Sequence, residues 1–300
     1  MKKISHPTEH ILIAFALLLN CVSGAMAQNK PIPDNFRTEN LVAWCIVPFD
    51  AKKRTPELRA KMLVDLGLNR CAYDWREEHV PEFEDEILQY KKHGIEFLAF
   101  WAQHESAFSL FKKYDLHPQI WITLGSPEAA TRELKIAAAV AELQPLVEKA
   151  KALKCRIGLY NHGGWGGEPE NLVAVCEAFK SAGDDHVGIV YNFHHGHGHI
   201  SDFPACLKQM LPYLHCLNLN GMADPETVEG MTYKIIPIGS GKHESAMIQT
   251  VIASGYSGPI GILDHLDAQD AEVSLQNNID GLREVLTASG YSSAAATIKE

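Results

Sequence analysis

Asn192, His194, His195, His197 and His199 crowd the end of one stretch, Val187-Gly-Ile-Val-Tyr-Asn-Phe-His-His-Gly-His-Gly-His199. Imidazole side chains coordinate metals, exchange protons near neutrality and hydrogen-bond from either ring nitrogen. The five residues before Asn192 are apolar and rich in β-branched side chains, the pattern of a buried strand. A buried strand that gives way to titratable side chains at its C-terminal end is the signature of an active site on a barrel. The bland alternative is a solvated His-rich loop. The chemistry that suits these groups is proton transfer next to a carbonyl, which needs a base and a donor that holds the enolate oxygen. His195 or His162 suits the base. Asn192, Asn218 and Lys242 suit the donor or orienting role.

Similar polar groups recur after other apolar runs. Tyr73-Asp-Trp-Arg76, Trp101-Ala-Gln-His104 and Thr123 end three of them, and Tyr160-Asn-His162 a fourth. Asn218 and Asn220 follow a later run, and Asp264-His265 the last. The expected substrate contacts are Trp75, Trp101, His104, Tyr160, Asn161, Trp165, Glu168, Asn218 and Asn220. His162, His195 and His265, with Asp264, form a candidate site for one divalent metal such as zinc or manganese; a site without metal, run by imidazoles and amides, is the other reading. The glycines on either side of Trp165 allow a loop that bends over the site as a lid. Each residue also has a structural reading: amides bond loop backbone, and tryptophans more often fill cores.

The elements that must hold these groups form a regular series. Apolar runs at Leu41–Pro48, Arg70–Trp75, Ile95–Trp101, Gln119–Leu124, Arg156–Tyr160, Val187–Tyr191, Leu214–Asn220 and Gly258–Leu263 alternate with helical segments. Thr55-Pro56 opens the first helix, with Thr as N-cap and Pro in the first turn. Ser126-Pro-Glu128 opens a long Ala-rich helical region. Eight strands alternating with helices predict an α/β fold of the (β/α)8 TIM-barrel type over residues 41–290, as one domain. The runs are continuously apolar, as in a parallel sheet covered on both faces. A doubly wound open sheet is the architectural alternative, but no GxGxxG follows the first run.

Residues 1–27 read as a cleavable signal peptide: Lys2 and Lys3, an apolar core from Ile11 to Leu19, and Ala25-Met-Ala27 before Gln28. The apolar core is too short for a stable membrane span. An exported protein, periplasmic or secreted, is the expectation. A lipoprotein anchored through Cys21 would need a small residue where Asn20 stands. Residues 28–40 read as a tether and 291–300 as a loose tail. The formal net charge of −10, without a cluster of Lys or Arg, argues against nucleic acid and leaves a small carbohydrate as the expected partner. Six cysteines lie beyond the signal segment. Most fall in apolar runs and lack CxxC spacing, so they read as core thiols.

Four motifs carry a resemblance to a known group: Cys155-Arg-Ile-Gly-Leu-Tyr-Asn-His162, Val187 to His195, Gly239-Ser-Gly241 and Gly255-Tyr-Ser-Gly-Pro-Ile260. From about Leu41 to Leu286 the chain resembles the xylose isomerase-like TIM barrels, the sugar phosphate isomerase/epimerase group. The resemblance implies a sugar-active enzyme. It also implies a divalent metal held by Glu, Asp, His and Glu from strands five to eight, and two carboxylates that move a proton. At the matching positions this chain carries Tyr160, Asn192, Asn218 and Asp264, with His162, His195 and His265 beside them. It is thus a divergent member, without the first Glu of the two-carboxylate scheme. Isomerisation, epimerisation, and elimination or hydration of a keto-glycoside are the reactions in view. A barrel that binds carbohydrate without catalysis is the alternative. A glycosidase using two of Asp74, Glu168 and Asp264 is a further one.

Overall fold

A computed structural model describes residues 30–227, 230 and 234–292. A two-residue strand, β1 (Lys30–Pro31), precedes eight parallel strands: β2 (Leu41–Trp44), β3 (Arg70–Tyr73), β4 (Glu96–Trp101), β5 (Gln119–Thr123), β6 (Arg156–Tyr160), β7 (Val187–Asn192), β8 (Leu214–Leu219) and β9 (Ile260–Leu263). These eight close into a barrel in sequence order, and pairing of Leu41 with Ile260 and of Trp44 with Leu263 seals the ring. The chain is therefore a single-domain (β/α)8 barrel, as its alternation of apolar runs and helices predicts. Every strand lies within the run expected of it except β7, which extends one residue further, to Asn192. The open-sheet alternative is excluded by the β2–β9 pairing.

The helices sheathe the barrel: α1 (Pro56–Asp65), α2 (Phe83–His93), α3 (Glu105–Tyr114), α4 (Arg132–Ala152), α5 (Pro169–Ser181), α6 (Phe203–Met210), α7 (Glu244–Ala253) and α8 (Ala271–Ala288). Local chemistry sets their ends. The Thr55 hydroxyl accepts from Leu58 N at the start of α1, and Gly94 closes α2 in the left-handed region at φ 68°. The long helix α4 begins later than Ser126-Pro-Glu128 suggested. Thr131 is its cap, accepting from Leu134 N, so residues 124–130 are loop.

Two apolar layers result. The outer one joins the sheet to the helices. The inner one fills the barrel with Val42, Trp44, Ala72, Ala99, Trp121, Tyr160, Val190 and Leu263. Trp44 and Trp121 meet edge to face, ring centroids 4.8 Å apart. Such bulk needs vacancies opposite it. At Gly158 a Cβ would stand 2.5 Å from Val190 and 2.7 Å from the Trp121 ring, and at Gly261 one would stand 1.8 Å from the Asn218 side chain. Strand glycine here marks close approach of large neighbours.

The segment read as a tether is, from Lys30 onward, part of the body. Lys30–Pro31 pair with β10 (Tyr291–Ser292), Phe36 is buried, and the Asn35 amide donates to the carbonyls of Tyr256 and Gly258. Residues 1–27, read as a signal peptide, and residues 293–300 of the tail lie outside the described residues. No helix of the described residues is long and apolar enough to cross a membrane.

Candidate active site

The strand ends converge on a pocket of about 410 Å³, counting its open mouth, lined by Trp44, Cys45, Phe49, Asp74, Arg76, Trp101, Tyr160, His162, His194, His195 and His265. Six strands contribute, all through their C-terminal ends. The walls are aromatic: Trp101 meets Trp44 at 6.1 Å and Tyr160 at 4.9 Å between ring centroids. The polar side is imidazole. His162 and His195 lie 4.5 Å apart, and His194 and His195 3.8 Å, between centroids.

The ends of β2 and β9 hold one edge. Cys45 and His265 both take left-handed φ, 60° and 74°, which side chains other than glycine rarely adopt. Each such residue costs about 1–3 kcal/mol and persists only where its surroundings fix it. Here the two fix each other. Asp264 N donates to the Trp44 carbonyl and His265 N to that of Cys45, while His265 Nδ1 lies 3.2 Å from Cys45 Sγ. Phe49 stacks on the His265 ring at 3.9 Å, and the Arg76 guanidinium covers the Phe49 ring at 5.2 Å. Asp50 anchors the Phe49 loop by accepting from Lys52 N, Arg54 N and Ala271 N.

Burial sets the protonation of the site. Burial, with neighbouring His162 and Lys234, lowers the His195 pKa to about 3; burial, with Arg76 and His162, lowers that of His265 to about 4. His194, fully buried among the other imidazoles, is also held neutral. The acids move the other way. Burial raises Asp74 to about 7, although Arg76 favours its charged form, and burial raises Asp264 to about 8 with Asp74 and Asp50 as negative neighbours. Asp74 Oδ2 has no hydrogen-bond partner. Just below neutrality the pocket thus combines the neutral imidazoles of His194, His195 and His265, a carboxyl, Asp74, that still holds its proton, and one fixed cation, Arg76.

Behind the pocket the asparagines bond one another. Asn192 Nδ2 donates to Asn161 Oδ1 at 2.9 Å, Asn218 Nδ2 donates to Asn192 Oδ1 at 2.7 Å, and Asn161 Nδ2 donates to the Asn192 carbonyl. The ladder is buried and none of its members lines the pocket. This bears on the metal that the resemblance implies. The four corresponding positions hold Tyr160, whose hydroxyl accepts from Trp44 Nε1, the amides Asn192 and Asn218, and Asp264, wholly buried and off the pocket wall. One carboxylate and two mutually satisfied amides do not fit a hard divalent cation. Nor do His162, His195, His265 and Asp264 bring three donor atoms to a common centre. Among the described residues the only set that does is His199, Asp202 and Cys206, at the rim.

Of the expected substrate contacts, Trp101 and Tyr160 line the pocket, together with the expected bases His162 and His195. Others lie elsewhere. Trp75 packs on Phe83 and Phe100 in the outer layer, and His104 caps α3 by accepting from Ser106 N. The Trp165 loop is not a lid: Gly166 is pressed so close to the Leu124 carbonyl that a Cβ would stand 2.0 Å from it, and Trp165 packs on the outer layer. Glu168 bonds His199, and Asn220 donates to the carbonyls of Gly221 and Lys234. Lys242 is exposed and paired with Asp224, away from the pocket. Its loop is wound around the buried Glu244 carboxylate, which accepts from the backbone of Met222, Gly239 and Gly241 and turns Lys242 outward. Of the polar groups in the pocket, Arg76, Cys45 and His194 carry no role assigned from the sequence, and Asp74 enters only as a glycosidase candidate. Position after a strand flagged Asp74 and Arg76, whereas Cys45 is hidden in an apolar run.

No protein-family model matches the sequence, and no curated protein does. Solved structures do match, 152 chains in all. The E. coli 3-keto-D-glucoside 4-epimerase YcjR, in its apo form, is 13% identical with a TM-score of 0.61, over 84% of this chain and 100% of that one. The IOLI protein, solved with a zinc atom, is 15% identical with a TM-score of 0.64, over 83% and 98%. The probable 3-DHS dehydratase AsbF of Bacillus anthracis is 11% identical with a TM-score of 0.63, over 81% and 98%. At these identities the likeness is one of fold, a (β/α)8 barrel.

Proposed function

We propose that the chain is an exported enzyme that moves a proton next to the carbonyl of a sugar or keto-sugar. One observation carries the reading. An aromatic-walled pocket sets the neutral imidazole of His195 among the same walls as Arg76 and the carboxyl of Asp74, which burial raises to about 7 and whose Oδ2 has no partner. Trp44, Trp101 and Tyr160 offer apolar faces to the C–H surfaces of a sugar ring at the mouth.

His195 takes the proton from the carbon beside the carbonyl. The electron pair of that C–H bond moves into the C–C bond, and the carbonyl π pair moves to oxygen. Asp74 donates a hydrogen bond to this enolate oxygen, and Arg76 adds its positive charge, the role of an oxyanion hole. A carboxyl kept neutral by burial is the group for that task. The low pKa of His195 keeps it free to accept, and the imidazolium it becomes is stabilised by the enolate formed with it. Reprotonation of the same carbon on its opposite face, from solvent, gives an epimer. Return of the proton to the former carbonyl carbon, with the hydroxyl proton of the first carbon passing to the former carbonyl oxygen, gives an isomer. Loss of a β-substituent gives an elimination product. The 3-keto-D-glucoside 4-epimerase and the dehydratase of like fold support this range. The amino-terminal pattern Lys2 to Ala27 supports export.

The test is hydrogen exchange. With ketoses and 3-keto-glycosides in D₂O, NMR should show deuterium entering beside the carbonyl of at least one, undiminished by a chelator. His195→Ala should slow this by about 10²–10⁴-fold. If the wild-type protein binds these sugars but exchanges none, it is a carbohydrate-binding barrel and the proposal fails.

A further inference from the structure

Outside the pocket, on the rim between the end of β7 and the start of α6, three side chains meet that the proposed reaction does not use. His199 Nδ1 lies 3.3 Å from each carboxylate oxygen of Asp202 and 3.6 Å from Cys206 Sγ; Cys206 Sγ lies 3.6 Å from Asp202 Oδ2. We propose that His199, Asp202 and Cys206 form a binding site for zinc or a chemically similar divalent transition metal, separate from the barrel mouth.

Distance is the first argument. Zinc bonds of about 2.0–2.1 Å to nitrogen, about 2.0–2.2 Å to oxygen and about 2.3 Å to sulfur at tetrahedral angles put N and O about 3.4 Å apart, and sulfur about 3.6 Å from either. The three observed separations match these edges. They do not match a charge-assisted hydrogen bond, which closes to about 2.7–2.9 Å. The same imidazole makes such a bond on its other side, where His199 Nε2 lies 2.9 Å from Glu168 Oε2.

That bond is the second argument. A carboxylate holding the far nitrogen as N–H fixes the tautomer, so that Nδ1 carries the lone pair, the arrangement that orients metal-bound histidine. The third is Asp202 itself. It stands at the N-cap of α6 but makes no side-chain cap bond, its carboxylate being turned to His199 and Cys206. An aspartate there would ordinarily take a helix amide. Cys206 is buried and Asp202 exposed, so the fourth position opens to water. A metal here would join α6, the loop bearing His194 and His195, and through Glu168 the start of α5.

Titration of the full, chelator-stripped protein with Co²⁺ tests this. One equivalent should bring up thiolate-to-cobalt charge-transfer absorption in the near ultraviolet, which Zn²⁺ then bleaches. Cys206→Ser should abolish that band, whereas Cys45→Ser, which alters the only thiol lining the mouth, should keep it. Asp202→Asn, an exposed change that leaves the thiol in place, should weaken cobalt binding at least tenfold, and Glu168→Gln should weaken it by about 10–100-fold. Absence of the band in the wild-type protein, its survival in Cys206→Ser, or unchanged affinity in Asp202→Asn would each overturn the assignment.

Discussion

At the scale of single residues, the pocket works by withholding charge. Burial holds His194, His195 and His265 in their neutral forms and raises Asp74 to about 7, leaving Arg76 as the fixed cation of the wall. A donor that ionises is no longer a donor, so turnover should decline as pH rises through about 7, where Asp74 loses its proton. Asp74→Asn keeps an N–H donor that does not titrate. It should cost less than the about 10²–10³-fold loss of an oxyanion donor removed outright, and it should erase that alkaline limb. A pH–rate profile of the variant that retains the limb would remove Asp74 from the mechanism. Much of this wall was legible beforehand: Trp101, Tyr160, His162, His195 and His265 stand at strand ends and do face the mouth. The asparagines illustrate what a linear pattern cannot supply. Asn161, Asn192 and Asn218 are rightly placed at strand ends, yet each satisfies another amide, because side-chain partnership depends on three strands at once.

At the scale of elements, apolar continuity was enough to place all eight barrel strands, since a strand buried on both faces has no polar alternation to confuse it. Loops were read less well. Lys242 was expected in a donor or orienting role at the mouth. The buried Glu244 carboxylate, which organises the segment around Lys242, leaves no mark in sequence spacing. Inside the barrel the fit is close enough to be tested by one methyl group. Gly158→Ala on β6 forces contact with Trp121 and Val190, both wholly buried. Overpacking of this kind costs about 1–3 kcal/mol. The urea midpoint should fall accordingly, and an unchanged midpoint would mean that the inner layer has slack.

For the whole molecule, opposite sets of shifted groups define a pH of greatest stability. His79, His194, His195, His197, His215 and His265 have folded pKa values below the ordinary 6.5, so unfolding takes up protons and stability is lost as pH falls below 6.5. Burial raises Asp74 to about 7 and Asp264 to about 8, and raises Glu86 as well, so unfolding releases their protons and stability is lost as pH rises from about 4 to 8. His199 is lowered by burial but raised on balance by the Glu168 carboxylate, which accepts from it, and the nearby Asp202 carboxylate, and it adds to the loss above 6.5. At pH about 5 the six histidines outnumber the three acids; by about 7 the acids and His199 remain. Urea denaturation should therefore show a maximum between about pH 6 and 7, and a maximum above pH 8 would contradict these protonation states. The pairing of Lys30–Pro31 with Tyr291–Ser292 has a consequence of another kind. It brings the two ends of the folded body side by side, where Lys30 N donates to the Gly290 carbonyl at 2.9 Å, at the entrance to β2 and thus on the face opposite the mouth. A short peptide joining these ends would make the chain circular, so new termini opened in a bottom loop should give a permuted protein with the same pocket. Attachment to a solid support at Lys30 or Ser292 would likewise leave that pocket facing the solution.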